Sequence, residues 1–199
     1  MPDPSGHGGA ADLHRLNAAT VHLEPPFAIV DLGAFRANAA AMVSRTAGKP
    51  MRLASKSVRC RHLIAAALGM TGFRGILAFT LPEALWLAAA GTSNDIVVAY
   101  PSADRLALAR LASDPAAAAA VTVMVDCADH LDLIEKAAMG LADPLQVRVA
   151  IDIDAGYEAL GGRFRAGARR SPIRTPASAV QLAEAILARP RLRLVGLMA

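Results

Sequence analysis

Of the 21 basic residues in this chain only three are lysines, Lys49, Lys56 and Lys136, and Lys56 stands where a strand-like run, Met51-Arg52-Leu53-Ala54-Ser55, comes to its end. An arginine cannot condense with a carbonyl. A lysine amine forms a Schiff base readily once it is neutral. A lysine that snorkels from a strand end into solvent gives the same pattern, so spacing alone leaves both roles open. A second constellation is Asp152-Ile153-Asp154-Ala155-Gly156. Side chains at i and i+2 of a strand share a face, which would put two carboxylates together at its end. Such a pair can bind a metal, orient a base or hold an arginine. The bland alternative is pairing with Arg163 or Arg165. Gly156, Gly161 and Gly162 would let the backbone that follows approach an anion closely.

Other chemistries find less support. The five histidines (His7, His14, His22, His62 and His130) show neither H-x-x-x-H nor H-x-x-E-H spacing, so no metal site is read. There is no G-x-S-x-G nucleophile elbow; Ser55 and Ser57 read as hydrogen-bonding partners of the strand end. His62 reads as a surface residue of the helix after Lys56. No G-x-G-x-x-G follows an early strand and no Walker A sequence occurs, which removes the main support for dinucleotide and P-loop nucleotide binding.

The elements that must position these residues alternate in type. Strands are expected at Phe27–Val30, Met51–Ser55, Gly75–Phe79, Asp95–Tyr100, Val121–Val125, Gln146–Ile153 and Leu192–Met198. Helices are expected at Cys60–Leu68, Pro82–Ala90, Ala103–Leu111, Ala128–Ala138 and Pro176–Ala188, with another opening at Asp31. Thr80-Leu81-Pro82-Glu83 has capping-box form, Thr175-Pro176 marks a helix start and Gly91 a helix end. Asp114-Pro115 and the alanines after it fit a loop or a short helix equally. Repeated strand-helix units imply parallel strands with right-handed crossovers. Without a dinucleotide fingerprint, the α/β architecture of choice is a (β/α)8 TIM-type barrel. Its strand C-terminal ends would carry Lys56, Thr80, Tyr100, Asp126, Asp152 and Asp154.

The 199 residues, 54% hydrophobic, suffice for one domain with a large core, preceded by a polar lead-in over residues 1–24. The net charge of +4 arises from scattered arginines with 4% aromatics, which disfavours nucleic acid as a partner. Cys60 and Cys127 lack a C-x-x-C partner, and no apolar run resembles a signal peptide or membrane span, so the expected compartment is the cytoplasm. The sequence stops at Gly196-Leu197-Met198-Ala199, inside a strand pattern. This leads to the expectation of an N-terminal fragment or a truncated gene product.

Taken in order, several segments resemble the alanine racemase-like pyridoxal phosphate enzymes (fold type III), and most nearly their D-threonine aldolase and amino acid deaminase/aldolase branch. These are Pro26-Phe27-Ala28-Ile29-Val30-Asp31-Leu32-Gly33-Ala34-Phe35-Arg36-Ala37-Asn38, Arg52 to Arg59, Phe79 to Ala84, Asp152 to Gly156 and Leu194 to Ala199. The resemblance implies a partial barrel over residues 25–199, with about six of eight barrel strands from Met51–Ser55 to Leu192–Met198, that lacks its C-terminal β-domain, to which Phe27–Val30 would belong. It implies pyridoxal 5'-phosphate held as an internal aldimine on Lys56, with Thr80, Asp154 and Arg163 as further cofactor contacts. The activity implied is that of a lyase acting on an amino acid, of D or L configuration, at Cα, of aldolase or deaminase type. A divalent metal bound by residues beyond 199 and a homodimer are implied as well. The sequence departs from the family at one point: where a Gly-x-x-Arg-x-Gly pattern places an arginine against the cofactor phenolic oxygen, Gly156 to Gly161 has Ala159, and Arg163 is the substitute expected. The alternatives are a non-catalytic pyridoxal phosphate-binding barrel, a cofactor-free Schiff-base aldolase and an inactive fragment.

Overall fold

The computed structural model describes residues 10–159 and 164–199, in two compact units divided between Arg45 and Thr46. In the first unit, helix α1 (Ala10–Thr20) runs through the segment expected to be an unstructured lead-in. Its alanines and leucines are strong helix formers, which explains why a polar composition still gives a helix. Phe27–Val30, expected to be a strand, has no strand partner among the described residues, and its side chains at Phe27, Ile29 and Val30 are exposed. Asp31 caps α2 (Leu32–Ser44), accepting from the Ala34 amide at 2.9 Å, and pairs with Arg15.

The second unit is a six-stranded, wholly parallel sheet. Its strands are β1 (Met51–Ala54), β2 (Phe73–Ala78), β3 (Ile96–Val98), β4 (Val121–Val125), β5 (Val147–Asp152) and β8 (Leu192–Met198). Between β5 and β8 a short antiparallel hairpin, β6 (Tyr157–Ala159) and β7 (Phe164–Ala166), stands apart from the sheet. The crossovers are α3 (Ser55–Val58), α4 (Arg61–Leu68), α5 (Leu81–Ala89), α6 (Arg105–Ser113), α7 (Pro115–Ala120), α8 (Ala128–Ala138) and α9 (Pro176–Leu187). Strand order in space follows strand order in sequence, with no reversal. A doubly wound sheet would reverse at a switch point; this singly wound order is that of an incomplete (β/α)8 barrel, with β1 and β8 as its two edges.

Period-two alternation sorts the side chains onto two faces. Ile76, Ile96, Val121, Val123, Val149 and Ile151 join the core formed with the helices through Leu85, Leu108, Leu111, Leu131 and Ile186. The other parity, Leu77, Val97, Thr122, Met124, Arg148 and Ala150, lines a concave space of about 290 Å³. Every residue of β4 is buried, as expected for a parallel strand covered on both faces.

Helix starts follow local chemistry. Asp114 accepts from the amides of Ala116 and Ala117 at 2.9 and 3.1 Å and Pro115 occupies the first turn. That cap decides the ambiguous 114–120 stretch in favour of helix. Thr175 and Ser178 form a reciprocal capping box at α9. No helix among the described residues is long and apolar enough to cross a membrane.

Candidate active site

The C-terminal ends of the strands gather the residues with chemical capacity. Ser55 is fully buried and its hydroxyl reaches the Leu77 carbonyl at 3.4 Å, tying the end of β1 to β2. Lys56 therefore lies two residues past the strand, in the single turn of α3, rather than within it. The turn closes at Arg59, whose φ of 48° is left-handed and whose amide donates to the Ser55 carbonyl at 2.8 Å. Arg59 Nε also donates to the Lys56 carbonyl at 3.1 Å, fixing the backbone that carries the amine. Holding a non-glycine residue there costs about 1 kcal/mol or more.

Lys56 Nζ sits 5.0 Å from the centroid of the Phe79 ring and forms no ion pair among the described residues. The amine opens on a cleft of about 420 Å³ lined also by Arg59, Arg61, Glu83 and Trp86. Phe79 and Thr80 form the wall between this cleft and a neighbouring one of about 590 Å³ that reaches Tyr100, Ser102 and Asp104. Thr80 caps α5 by accepting from the Glu83 amide at 3.3 Å. The Glu83 carboxylate turns back to the Phe79 amide at 2.9 Å rather than to Thr80 itself, so the expected capping box is shifted by one residue and holds Phe79 in place.

From Phe79 a chain of contacts runs along the rim. Its ring meets Tyr100 edge-on at 6.0 Å, and the Arg170 guanidinium lies 5.0 Å from the Tyr100 centroid. Arg170 donates to the Ala99 carbonyl at 2.8 Å and to Asp152 Oδ2 at 3.3 Å. Asp152 has the parity of Arg148 and Ala150 at the end of β5, and its Oδ1 is buried without a hydrogen-bond partner among the described residues. An orphaned carboxylate oxygen in a closed site costs about 1–3 kcal/mol, and such groups concentrate where a ligand completes the bonding.

Asp154 is outside the strand, so the two carboxylates do not share one strand face as expected. Its Oδ1 accepts from the Gly156 amide at 2.9 Å and its Oδ2 from the Arg165 guanidinium on β7, with Arg174 3.8 Å away. The Gly156 amide and then the Arg165 charge hold the Asp154 carboxyl below its ordinary range. Both oxygens are thus engaged in anchoring the hairpin. A side chain at Gly156 would come within 2.9 Å of Asp154 Oδ1, which explains the glycine there. Of the residues expected to touch a cofactor, Lys56 and Thr80 line one cleft, while Asp154 is bound to arginine. Arg163 lies outside the described residues.

His62 is exposed on α4. Asp126 lies just past β4, beside Cys127 and His130, and burial pushes the Cys127 thiol above its ordinary value with the Asp126 carboxylate adding to the effect. Arg170 was visible in the sequence only as part of a basic stretch. Its partners at positions 99, 100 and 152 come from other elements, so no local spacing announces its role.

The family model for the alanine racemase N-terminal domain matches residues 30–199. A solved structure, the D-threonine aldolase from Filomicrobium marinum, superposes with a TM-score of 0.69 at 23% identity, covering 88% of this chain and 44% of that one. The chain thus spans less than half the length of that enzyme, and the likeness bears on the fold. No curated protein matches. With six sequential parallel strands and a family match that runs from the end of the first exposed segment through the last strand, the chain belongs to the alanine racemase N-terminal domain family.

Proposed function

We propose that this chain is the cofactor-bearing part of a pyridoxal phosphate-dependent lyase that acts on a D-amino acid, breaking a bond at Cα in the manner of an aldolase or deaminase. Lys56 carries the reading: a primary amine at the C-terminal rim, free of any ion pair among the described residues, set against a flat aromatic wall. The donor set fits the group. An amine that condenses with an aldehyde, an aromatic ring beside it and a cleft of about 420 Å³ suit a planar heteroaromatic aldehyde. Family membership and the aldolase neighbour support the class of chemistry.

Pyridoxal phosphate bound there supplies an electron sink for the pair left at Cα when a substrate bond breaks. Lys56 Nζ holds the cofactor and, as a free amine, can accept or return a proton at Nζ. Phe79 covers one side of Nζ, while Lys56 itself stays exposed to solvent on the other. Arg170, fixed by Asp152 and the Ala99 carbonyl, keeps a positive charge on the rim between β3 and β5. A divalent metal in the lyase centre and a homodimer belong to this proposal as well.

The test is borohydride reduction of the chain with pyridoxal phosphate, followed by peptide mapping and by circular dichroism on the same sample. Selective labelling of Lys56 over Lys49 and Lys136 is expected, with none in the folded Lys56→Ala variant. Equal labelling of all three lysines in a folded chain would overturn the assignment.

A further inference from the structure

The loop from β4 into α8 brings three different donor atoms to one point. His130 Nδ1 lies 2.9 Å from Asp126 Oδ1 and 3.4 Å from Cys127 Sγ, and 3.4 Å from the Asp126 amide nitrogen. One ring nitrogen cannot satisfy all of these. A carboxylate at 2.9 Å needs a proton on Nδ1, whereas the amide needs its lone pair, so no single protonation state serves every contact. A cation among the three side chains removes the conflict between them, because carboxylate, imidazole and thiolate would all direct lone pairs at it, and only the long amide contact at 3.4 Å would be given up.

We propose that Asp126, Cys127 and His130 form a three-ligand site for a borderline-soft divalent cation of the zinc and cobalt class. All three ligand atoms lie within 4.8 Å of one another. Bond lengths of about 2.0–2.3 Å to oxygen, nitrogen and sulfur give tetrahedral edges of roughly 3.3 Å between N and O and roughly 3.5 Å between N and S. The observed separations of 2.9 and 3.4 Å approach those edges within a few tenths of an ångström. A sulfur and an imidazole in the set disfavour magnesium and calcium, which select oxygen donors.

The supports are rigid. Asp126 follows a strand buried at every position, and His130 stands in the first turn of a helix anchored by Leu131 and Ile134. Cys127 occupies the N-cap position of α8, where its sulfur makes no capping bond and faces the His130 ring. The site sits where barrel chemistry gathers, at a strand C-terminal end, and three protein ligands leave a fourth position for water or a substrate oxygen. On binding, the Cys127 S–H bond breaks, its proton goes to solvent and the sulfur electron pair forms the metal bond. No oxidant or reductant is involved, and the site needs no pyridoxal phosphate.

The experiment is titration of the chelator-stripped chain with Co²⁺, followed by near-ultraviolet absorption and proton release. A thiolate-to-cobalt charge-transfer band saturating at one ion per chain is expected, with one proton released. Cys127→Ser should abolish the band, His130→Gln should weaken binding more than about a hundredfold, beyond what loss of an outer-shell partner costs, and Cys60→Ser should leave the band in place. Absence of a thiolate band in the folded wild-type chain, or a band that survives Cys127→Ser, would overturn the site. Circular dichroism of both ligand variants separates loss of the site from loss of the fold. Failure of Lys56 labelling would leave this result unaffected.

Discussion

The two ends of the same parallel sheet are both polar, and they use polarity in opposite ways. At the N-terminal end, Arg52 pairs with Asp95 Oδ1 at 2.8 Å and donates to Asp95 Oδ2 at 3.0 Å, while Ser93 donates to the Asp95 carbonyl at 3.2 Å. Arg148 closes on the Ala119 carbonyl at 2.6 Å and Gln146 on the Pro190 carbonyl at 3.0 Å. There, charges are answered within the chain. At the C-terminal end Lys56 has no ion pair among the described residues, Asp152 Oδ1 and Arg165 Nε are buried without partners, and His130 faces more groups than it can serve. A third orphan, Thr92 Oγ1, lies in the loop between α5 and β3 at the same end as Ser93 and Asp95, the one exception there among the described residues. In a barrel, polar groups at the closed end stabilise, and capacity left over at the open end is available to a ligand.

Substitutions at matched positions break this comparison most sharply where they remove the amine. Lys56→Ala should eliminate reductive labelling by pyridoxal phosphate, whereas Arg52→Ala, at the opposite end of the same strand, should leave labelling of the folded chain at the wild-type level. Loss of labelling in both, with folding intact, would show that the two ends are coupled and that the division just drawn is wrong.

The next largest effect belongs to the closed end. Gly75 has φ of +72°, and a β-carbon there would meet the Arg52 guanidinium and lie 2.6 Å from the Asp95 carbonyl oxygen. Gly75→Ala combines a left-handed alanine with overpacking, for an expected loss of roughly 2–5 kcal/mol in denaturant unfolding. Labelling of the molecules that remain folded should not change. A loss below the cost of the backbone conformation alone would mean that Arg52 swings away and the end is less closed than its hydrogen bonds imply.

Particular residues show what was legible in the sequence. Val121–Val125 and Ala128–Ala138 carry their structure in local composition and are found at the expected bounds, and the caps at Asp31, Thr80 and Thr175 are one-residue signals read directly. The barrel order followed from repeated strand-helix units and the absence of a nucleotide fingerprint. Phe27–Val30 has strand composition, but a strand needs a neighbour, and composition says nothing about whether one is present. The hairpin of β6 and β7 depends on Asp154 meeting Arg165 across the turn. Asp126, Cys127 and His130 form a mixed cluster at a strand-to-helix junction, and with one histidine it has no H-x-x-x-H spacing to mark it in the sequence. Arg170 escaped because its partners are 18 and 71 residues away in the chain.

Arg170 supplies a smaller effect at the open end. Arg170→Ala withdraws the donor from Asp152 Oδ2 and leaves a buried carboxylate with neither oxygen paired, at an expected cost of about 1–3 kcal/mol. Arg170→Lys should recover part of the stability but not the planar contact with Tyr100. If pyridoxal phosphate binds beside Phe79 and Tyr100, labelling of Lys56 should slow in both variants at concentrations where each is folded. Equal rates in all three proteins would confine Arg170 to a structural role.

The smallest effect is one of acid, and it concerns the hairpin rather than the whole fold. The Asp154 carboxyl is held below its ordinary range, first by the Gly156 amide and then by the Arg165 guanidinium. A carboxylate with a depressed folded-state pKa stabilises fully above its unfolded value, about 3.9, and that contribution is lost as pH falls through the lower folded value. The hairpin should therefore stay anchored at neutral pH and loosen only in acid below about pH 4. Amide exchange at Gly156, whose N–H is held by Asp154 Oδ1, reads this directly: protection relative to the intrinsic rate should fall through that acid window. In Asp154→Asn the protection should already be lower at pH 7 and should show no step in acid. A wild-type step retained by the asparagine variant would assign the transition to another carboxylate and leave Asp154 as a neutral turn former.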